Sequence, residues 1–230
     1  REILDAFGNL FAGKPVIAES RAEYVTEDAL LSLLSTIDQG QPHPLTVAMG
    51  LETTNDAIRE KSIDKGFSFA DFIRASEICH DADVGVKAYL IMKPLFVTER
   101  EAMEDMQKSV ADVAPYADMI SMNLCTVQGR TELEQYWQRG AFRPPYLWSA
   151  VKVLLDADVA VACDPVGCGF RRGPHNCGTC DKEIVAAINE YSLTADKRVL
   201  QTVWDAGCSC RKEWEYVLDN ETSWNMPLTD

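Results

Sequence analysis

Five short runs of apolar and β-branched residues punctuate the chain: PVIAES at 15–20, LTVAMGLE at 45–52, VGVKAYLIM at 84–92, ADMISMNL at 117–124 and DVAVACD at 158–164. Longer stretches with helical period lie between them. The helix candidates start near Thr26, Ser68 and Thr98, each with acidic residues in the first turn, and near Thr131 or Leu147. A hydroxyl at that position caps the free N–H groups, and the acids complement the helix dipole. Nearly continuous apolar strands alternating with helices predict a parallel sheet whose apolar side is covered. Five strands are too few to close an eight-stranded barrel. The expected fold is therefore α/β: an open sheet, or a partial parallel (β/α) barrel.

After Asp164 the pattern changes to Gly, Pro, Arg and Cys, then to helices expected at 181–193, 195–204 and 211–219. The division expected from this change is a partial barrel over 1–163 and a Cys-rich, helical metal-binding region over 164–230. The opening residues REILDAFGNLF read as a helix already under way, as if the chain began inside a domain.

Composition narrows the function classes. Of the 230 residues 47% are hydrophobic, enough for a sizeable core, and no run of 18 apolar residues provides a membrane span. Residues 1–11 lack a signal peptide's basic start, apolar run and cleavage site, so a cytoplasmic home is expected. The net charge of −14, from 36 acidic and 22 basic residues, repels phosphate backbones. A nucleic-acid partner would need a local basic patch. Arg139, Arg143, Arg171 and Arg172, with Trp137, Phe142, Tyr146 and Trp148 nearby, form the candidate. The competing reading places Trp137 and Trp148 in the core and pairs the arginines with carboxylates.

Cysteine usage points to metal. Five of the eight cysteines fall within residues 168–210, and a core of this size needs no disulfide stapling. Cys177-x-x-Cys180 and Cys208-x-Cys210 are two chelating pairs separated by helical sequence, a set suited to a closed tetrahedral zinc site. An auxiliary iron–sulfur cluster would use the same thiolates. The Cys-x-Cys spacing is tight, which makes His175 and Cys168 alternative ligands. A thioredoxin-like redox pair fits poorly, since no strand runs directly into Cys177. Cys79, Cys125 and Cys163 sit in apolar contexts as small core residues, with a catalytic thiol at Cys125 the alternative.

In parallel α/β sheets ligands bind at the carboxyl ends of the strands. Those ends read Glu19-Ser20-Arg21, Glu52-Thr53-Thr54, Lys93-Pro94, Asn123 and Asp164. They describe a polar cup for a ligand with hydroxyl, amine and carboxylate groups, in which Glu19 and Glu52 accept and Arg21 clamps a carboxylate. Exposed loop starts that are polar by chance are the bland alternative.

The stretches AESRAEYVTEDAL, VAMGLETTNDAIREKSIDKGFSFADF, KAYLIMKPLFVTEREAMED and ADMISMNLCTVQGRTELEQYW resemble successive βα units, from the third on, of radical S-adenosylmethionine (radical SAM) enzymes of the Elp3-like and MiaB-like branch. More narrowly, GRTELEQYWQRGAFRPPYLWS and RRGPHNCGTCD resemble the family of radical SAM subunits of archaeosine synthase. The resemblance implies a radical SAM barrel and a role in tRNA modification, in which a lysine-modified deazaguanine in tRNA is cleaved to archaeosine. It implies S-adenosylmethionine and a [4Fe–4S] cluster as cofactors, beside the structural zinc expected from the cysteine pairs of the tail, and tRNA and a transferase subunit as partners. Glu19, Arg21, Glu52, Lys93 and Asn123 would face the cofactor, and His175, Arg171 and Arg143 the substrate. The family's CxxxCxxC motif, which holds the cluster, is absent from the sequence. The expectation is therefore a C-terminal part of an enzyme whose cluster lies on a preceding segment. The alternatives are a non-catalytic zinc-binding scaffold and a radical SAM oxidoreductase with another substrate.

Overall fold

The computed structural model describes residues 14–37 and 44–222; the helix expected at the opening residues lies outside them. Strands β1 (Val16–Ser20), β2 (Leu45–Glu52), β3 (Gly85–Met92), β4 (Met119–Leu124) and β5 (Val161–Asp164) form one five-stranded sheet in the order β1-β2-β3-β4-β5. Every pairing is parallel. Successive strands lie side by side, so the sheet winds in one direction and one face receives the crossover helices.

Those helices are α1 (Glu27–Leu34), α2 (Phe69–Asp81), α3 (Glu99–Val113), α4 (Glu132–Gln138) and α5 (Leu147–Asp156). The expected caps form. Thr26 and Thr131 accept from Ala29 N and Glu134 N, and Ser68 with Asp71 and Thr98 with Glu101 make reciprocal capping boxes. Beyond β5 come α6 (Asp181–Thr194), α7 (Lys197–Ala206) and α8 (Arg211–Asn220).

Register decides which side of each strand meets the helices. Met49, Ala88, Ile120 and Val161 share a row, and all four are buried. With Phe72, Met106, Val110, Trp148 and Leu154 they belong to one core that continues through Ile184, Tyr191 and Leu200 to Trp214 of α8. Neighbouring rows face the other way: Glu19, Ala48, Lys87 and Met119 in one, Gly50, Tyr89, Ser121 and Ala162 in the next. This second face is open to solvent at Ile17 (53% exposed) and Met119 (41%). It is the inner face of a partial barrel.

The turn after β2 was not legible from the sequence pattern. Glu52 has φ 71°, a left-handed backbone that a non-glycine residue adopts only when its surroundings over-determine it. Those surroundings are hydroxyl bonds onto α3. Thr53 Oγ1 donates to Asp105 Oδ1 (2.9 Å), Thr54 N donates to Ser109 Oγ (3.0 Å), and Thr54 Oγ1 donates to Asp112 Oδ2 (2.8 Å). A short helix, Asp56–Ile58, then widens into a π turn over Arg59–Ile63.

Burial pushes the Asp105 carboxyl up to about 6, against the lowering effect of the Thr53 hydroxyl and Lys108. The folded protein therefore holds this proton where an unfolded aspartate has lost it, and Asp105 favours folding less as pH rises from about 4 to 6. Asp105→Asn is expected to gain stability relative to wild type across that window, by roughly 1–2 kcal/mol at pH 7. Urea denaturation of both proteins from pH 4 to 7 checks this; a constant difference would show that Asp105 does not titrate there.

Candidate functional site: a strand-end cup and a four-cysteine group

At the carboxyl ends of β1 to β4, Glu19, Ser20, Gly50, Glu52, Lys65, Tyr89 and Asn123 line a cavity of about 430 Å³. Strand alternation delivers Glu19, Tyr89 and Asn123 to the inner face, and the left-handed turn at Glu52 brings its carboxylate over Gly50. Lys65 Nζ sits 2.7 Å from Glu52 Oε1. It arrives from the π turn and the left-handed Asp64 that follows. Sequence reasoning missed Lys65, because nothing in the strand pattern shows a π turn folding back over the cup. Tyr89 was legible from the alternation of β3 but was not singled out.

The other expected cofactor-side residues stand apart. Arg21 bonds Glu23 at 2.6 Å, donates to the Lys65 carbonyl and lies 5.9 Å from the Phe67 ring, so it braces the turn that carries Lys65. Lys93 lies outside the cup. Its φ of 58° turns the chain out of β3, and its fully buried ammonium pairs with Glu99 (2.8 Å) and Glu221 (3.1 Å). Together with Phe96, Phe142, Arg143 and Tyr216, it lines a separate cavity of about 380 Å³ under the end of α8.

The second site is in the tail. Sulfur–sulfur distances are 3.9 Å for Cys177–Cys180, 3.8 Å for Cys177–Cys208 and 3.7 Å for Cys180–Cys210. All four Sγ atoms lie within 4.8 Å of one another, so these residues could hold a metal ion. Cys180 and Cys210 stand at the N-caps of α6 and α8, where the helix dipole favours thiolate. Trp148 Nε1 donates to Cys210 Sγ (3.3 Å) and Asn176 Nδ2 to Cys180 Sγ (3.5 Å), the outer hydrogen bonds that orient metal thiolates. Burial raises the Cys177 thiol, but the N–H groups of Thr179 and Cys180 and its cysteine neighbours outweigh it and hold the thiol down at about 6. Burial pushes Cys180 and Cys210 upward. Sulfurs crowded this closely are a ligand set for a cation, which holds thiolates together.

Cys168 and His175 do not join the group. Burial pushes the Cys168 thiol up to about 12 and lowers the His175 imidazole, whose Nδ1 bonds the Gly173 carbonyl at 2.7 Å. Cys79, Cys125 and Cys163 are buried, as expected for small core residues, and burial takes Cys125 up to about 12, far from a reactive thiolate.

Arg143 stacks on Tyr146, 3.4 Å from the ring centroid, and bonds the carbonyls of Pro144 and His175. Arg171 and Arg172 both lie over Trp137. Trp148 is fully buried as the competing reading held, whereas Trp137 is half-buried at the rim. The loop that carries these residues doubles back tightly: a Cβ on Gly173 would lie 1.8 Å from the Gly167 carbonyl oxygen. Gly173→Ala is expected to destabilise the protein by about 1–3 kcal/mol and to open the RRGPHN loop to proteases. Gly129→Ala, with open space around it, is the neutral control.

A one-directional parallel sheet with a polar cup at its strand ends, followed by a cysteine-rich helical tail, defines a partial parallel (β/α) barrel protein with a candidate metal site. Over 79% of this chain and 42% of the other, the fold matches the solved structure of archaeal Methanocaldococcus infernus Elp3 lacking its N-terminus, at TM-score 0.59 and 19% identity. The chain is 44% identical over 221 residues to archaeosine synthase subunit beta of Methanosarcina acetivorans, covering 94% of this chain and 62% of that protein. It is 38% identical over 226 residues to archaeosine synthase subunit beta of Thermococcus kodakarensis, covering 96% of this chain and 68% of that one. No family model matches. The chain belongs to the archaeosine synthase subunit beta family and spans about two thirds of the length of these relatives. Among the described residues no helix is long and apolar enough to cross a membrane.

Proposed function

We propose that this chain forms the strand-end and tail part of a radical SAM enzyme of tRNA modification, one that converts a lysine-modified deazaguanine in tRNA to archaeosine. The observation that carries the proposal is the acid-lined cup at the strand ends of a chain 44% and 38% identical to archaeosine synthase beta subunits. The word subunit in those names supports a partner subunit that supplies the modified tRNA.

The cup's donor set fits S-adenosylmethionine. Glu19 and Glu52 accept from ribose hydroxyls and an ammonium, the Asn123 amide reads either kind of group, and Lys65, released from Glu52, takes a carboxylate. Arg21 keeps Lys65 in reach, and Lys93 fixes the rim from behind. When bound, S-adenosylmethionine with a cluster would supply the radical chemistry that carbon–nitrogen cleavage requires. No residue of this chain is assigned to that cluster, because the sequence contains no CxxxCxxC. His175, Arg171 and Arg143 face the substrate side of the rim.

In the tail, Cys177, Cys180, Cys208 and Cys210 hold zinc. Zinc–thiolate bonds of about 2.3 Å in a tetrahedron place sulfurs roughly 3.8 Å apart, which is the spacing of the three edges Cys177–Cys180, Cys177–Cys208 and Cys180–Cys210. An iron–sulfur cube spreads its thiolates wider, because each binds a different iron.

Titration of S-adenosylmethionine into the full-length protein tests the cup, with a loss of about tenfold expected for Glu52→Gln, the scale of one charge-assisted hydrogen bond. Release of archaeosine from lysine-modified tRNA by the reconstituted enzyme tests the reaction. Cluster-loaded protein that binds S-adenosylmethionine yet leaves that tRNA unchanged would overturn the substrate assignment.

A further inference from the structure

The arginines of this acidic chain are distributed unevenly. Arg21, Arg59, Arg74, Arg100, Arg172 and Arg198 each pair with a carboxylate. Among the described residues Arg130, Arg139, Arg143, Arg171 and Arg211 make no such pair; Arg211 packs against Trp148 and Trp204 and bonds the Trp204 carbonyl, and the other four stand around α4 and the loop at 165–176. Arg130 precedes α4, Arg139 caps its C-terminus, Arg171 lies 5.5 Å from the ring centroid of Trp137 in α4, and Arg143 bonds the His175 carbonyl of the loop. Glu134 of α4 is already taken by the Arg172 guanidinium (2.6 Å) and the Arg130 backbone N–H (2.6 Å). Glu132 is the other acid of this helix. In a chain with 36 acidic residues, this is a surface where guanidiniums are left available to an anion from outside.

The same loop exposes apolar side chains with nothing over them. Phe170 is 73% exposed and Val166 69%. Phe170 sits on a turn held by bonds from Gly169 N to the Pro174 carbonyl (2.8 Å) and from Gly173 N to the Phe170 carbonyl (2.9 Å). The tight approach of Gly173 to Gly167 gives this turn little room to move. Trp137 meanwhile orients Arg171 and Arg172, at 5.5 and 4.9 Å from its ring centroid. An aromatic ring free for stacking, flanked by stacked guanidiniums, matches unpaired RNA: phosphates for the cations and an open base for the ring. An acidic peptide would satisfy the charges but has no use for the exposed ring. Asp164, one residue before this loop, pairs in register with Asn123 of the cup, so RNA seated here lies beside the cofactor end of the sheet.

We infer that α4 and the 165–176 loop form the RNA-docking rim of the cup, with Arg130, Arg139 and Arg171 on phosphates and Phe170 stacked on an unpaired base. This rests on the tRNA reading above. The test is fluorescence-anisotropy titration of the metal-loaded chain with an unmodified tRNA transcript, over a salt series starting near 50 mM. Phe170→Ala is expected to weaken binding about tenfold with an unchanged salt slope, as loss of a stacked base does. Arg139→Ala and Arg171→Ala are each expected to flatten the slope of log K against log salt by about one. Arg198→Ala, on α7 and paired with Asp196, should change nothing. Wild-type binding that the Phe170 and arginine variants leave intact overturns the rim while the tRNA reading stands. A loss as large in Arg198→Ala overturns it as well. Absence of salt-dependent binding by the wild type overturns both.

Discussion

Cys177→Ser and Cys208→Ser are each expected to lose the metal proposed for the four-cysteine group and to melt the region that α6, α7 and α8 build. Each pair of cysteines holds one part of that region: Cys180 starts α6 and Cys210 starts α8. Few large apolar side chains lie between Asp164 and Asp181, so metal binding free energy there acts as folding free energy. Removing one thiolate also leaves the remaining sulfurs crowded without their cation. A loss of several kcal/mol, at about 2–4 °C for each kcal/mol in a domain of this size, lowers the melting temperature by roughly 10–20 °C. Trp148, Trp204 and Trp214 report it directly, since their rings meet edge to face at 6.0 and 5.9 Å and Trp148 bonds Cys210. Elemental analysis and near-ultraviolet circular dichroism, with and without chelator, make the check. Variants that keep both metal and melting temperature would remove the tetrathiolate assignment.

The second large effect is expected at the buried ion cluster. Glu99 is fully buried; its Oε2 accepts from Lys93 Nζ, and its Oε1 accepts from Tyr146 N (2.8 Å) and Ser149 Oγ (2.6 Å). Trp214 Nε1 of α8 donates to the same Ser149 hydroxyl at 2.7 Å, and Glu221 just beyond α8 closes on Lys93. Lys93→Met removes the cation and strands a carboxylate away from water, which costs about 3–5 kcal/mol. Lys93→Met combined with Glu99→Gln should recover much of that loss, because the uncompensated charge is gone. Urea denaturation of the single and double variants decides it; equal losses in both would mean that packing, not charge, sets the cost. Because α8 runs from Cys210 to the neighbourhood of Glu221, metal loss should also loosen this cluster, and the two effects are expected to fall short of additive.

Much of the scaffold was written in local sequence. The strands at 45–52 and 161–164 fall within the expected runs, since branched apolar side chains favour the pleated, buried face of a parallel sheet. Thr26, Ser68, Thr98 and Thr131 mark helix starts because a cap is a contact between residues three apart, which spacing alone reveals. The four cysteines were readable for the same reason: each pair is local, and thiolate chemistry leaves few other uses for two chelating pairs. Glu19, Glu52 and Asn123 followed from one rule, that ligands meet parallel strands at their carboxyl ends.

Three-dimensional structure decided the rest. A left-handed backbone at Lys93 takes that side chain out of the cup and buries it against Glu99 and Glu221, 128 residues away in sequence from the latter. A π turn folds Lys65 back onto Glu52. Arg143 serves two carbonyls, while Arg171 keeps its charge free at the rim beside Phe170. Sequence determined which elements form and which chemistries are available, because secondary structure, capping and chelation act between near neighbours. Which of those groups meet, and which charges stay unpaired, depended on dihedral reversals and long-range packing that no local pattern encodes.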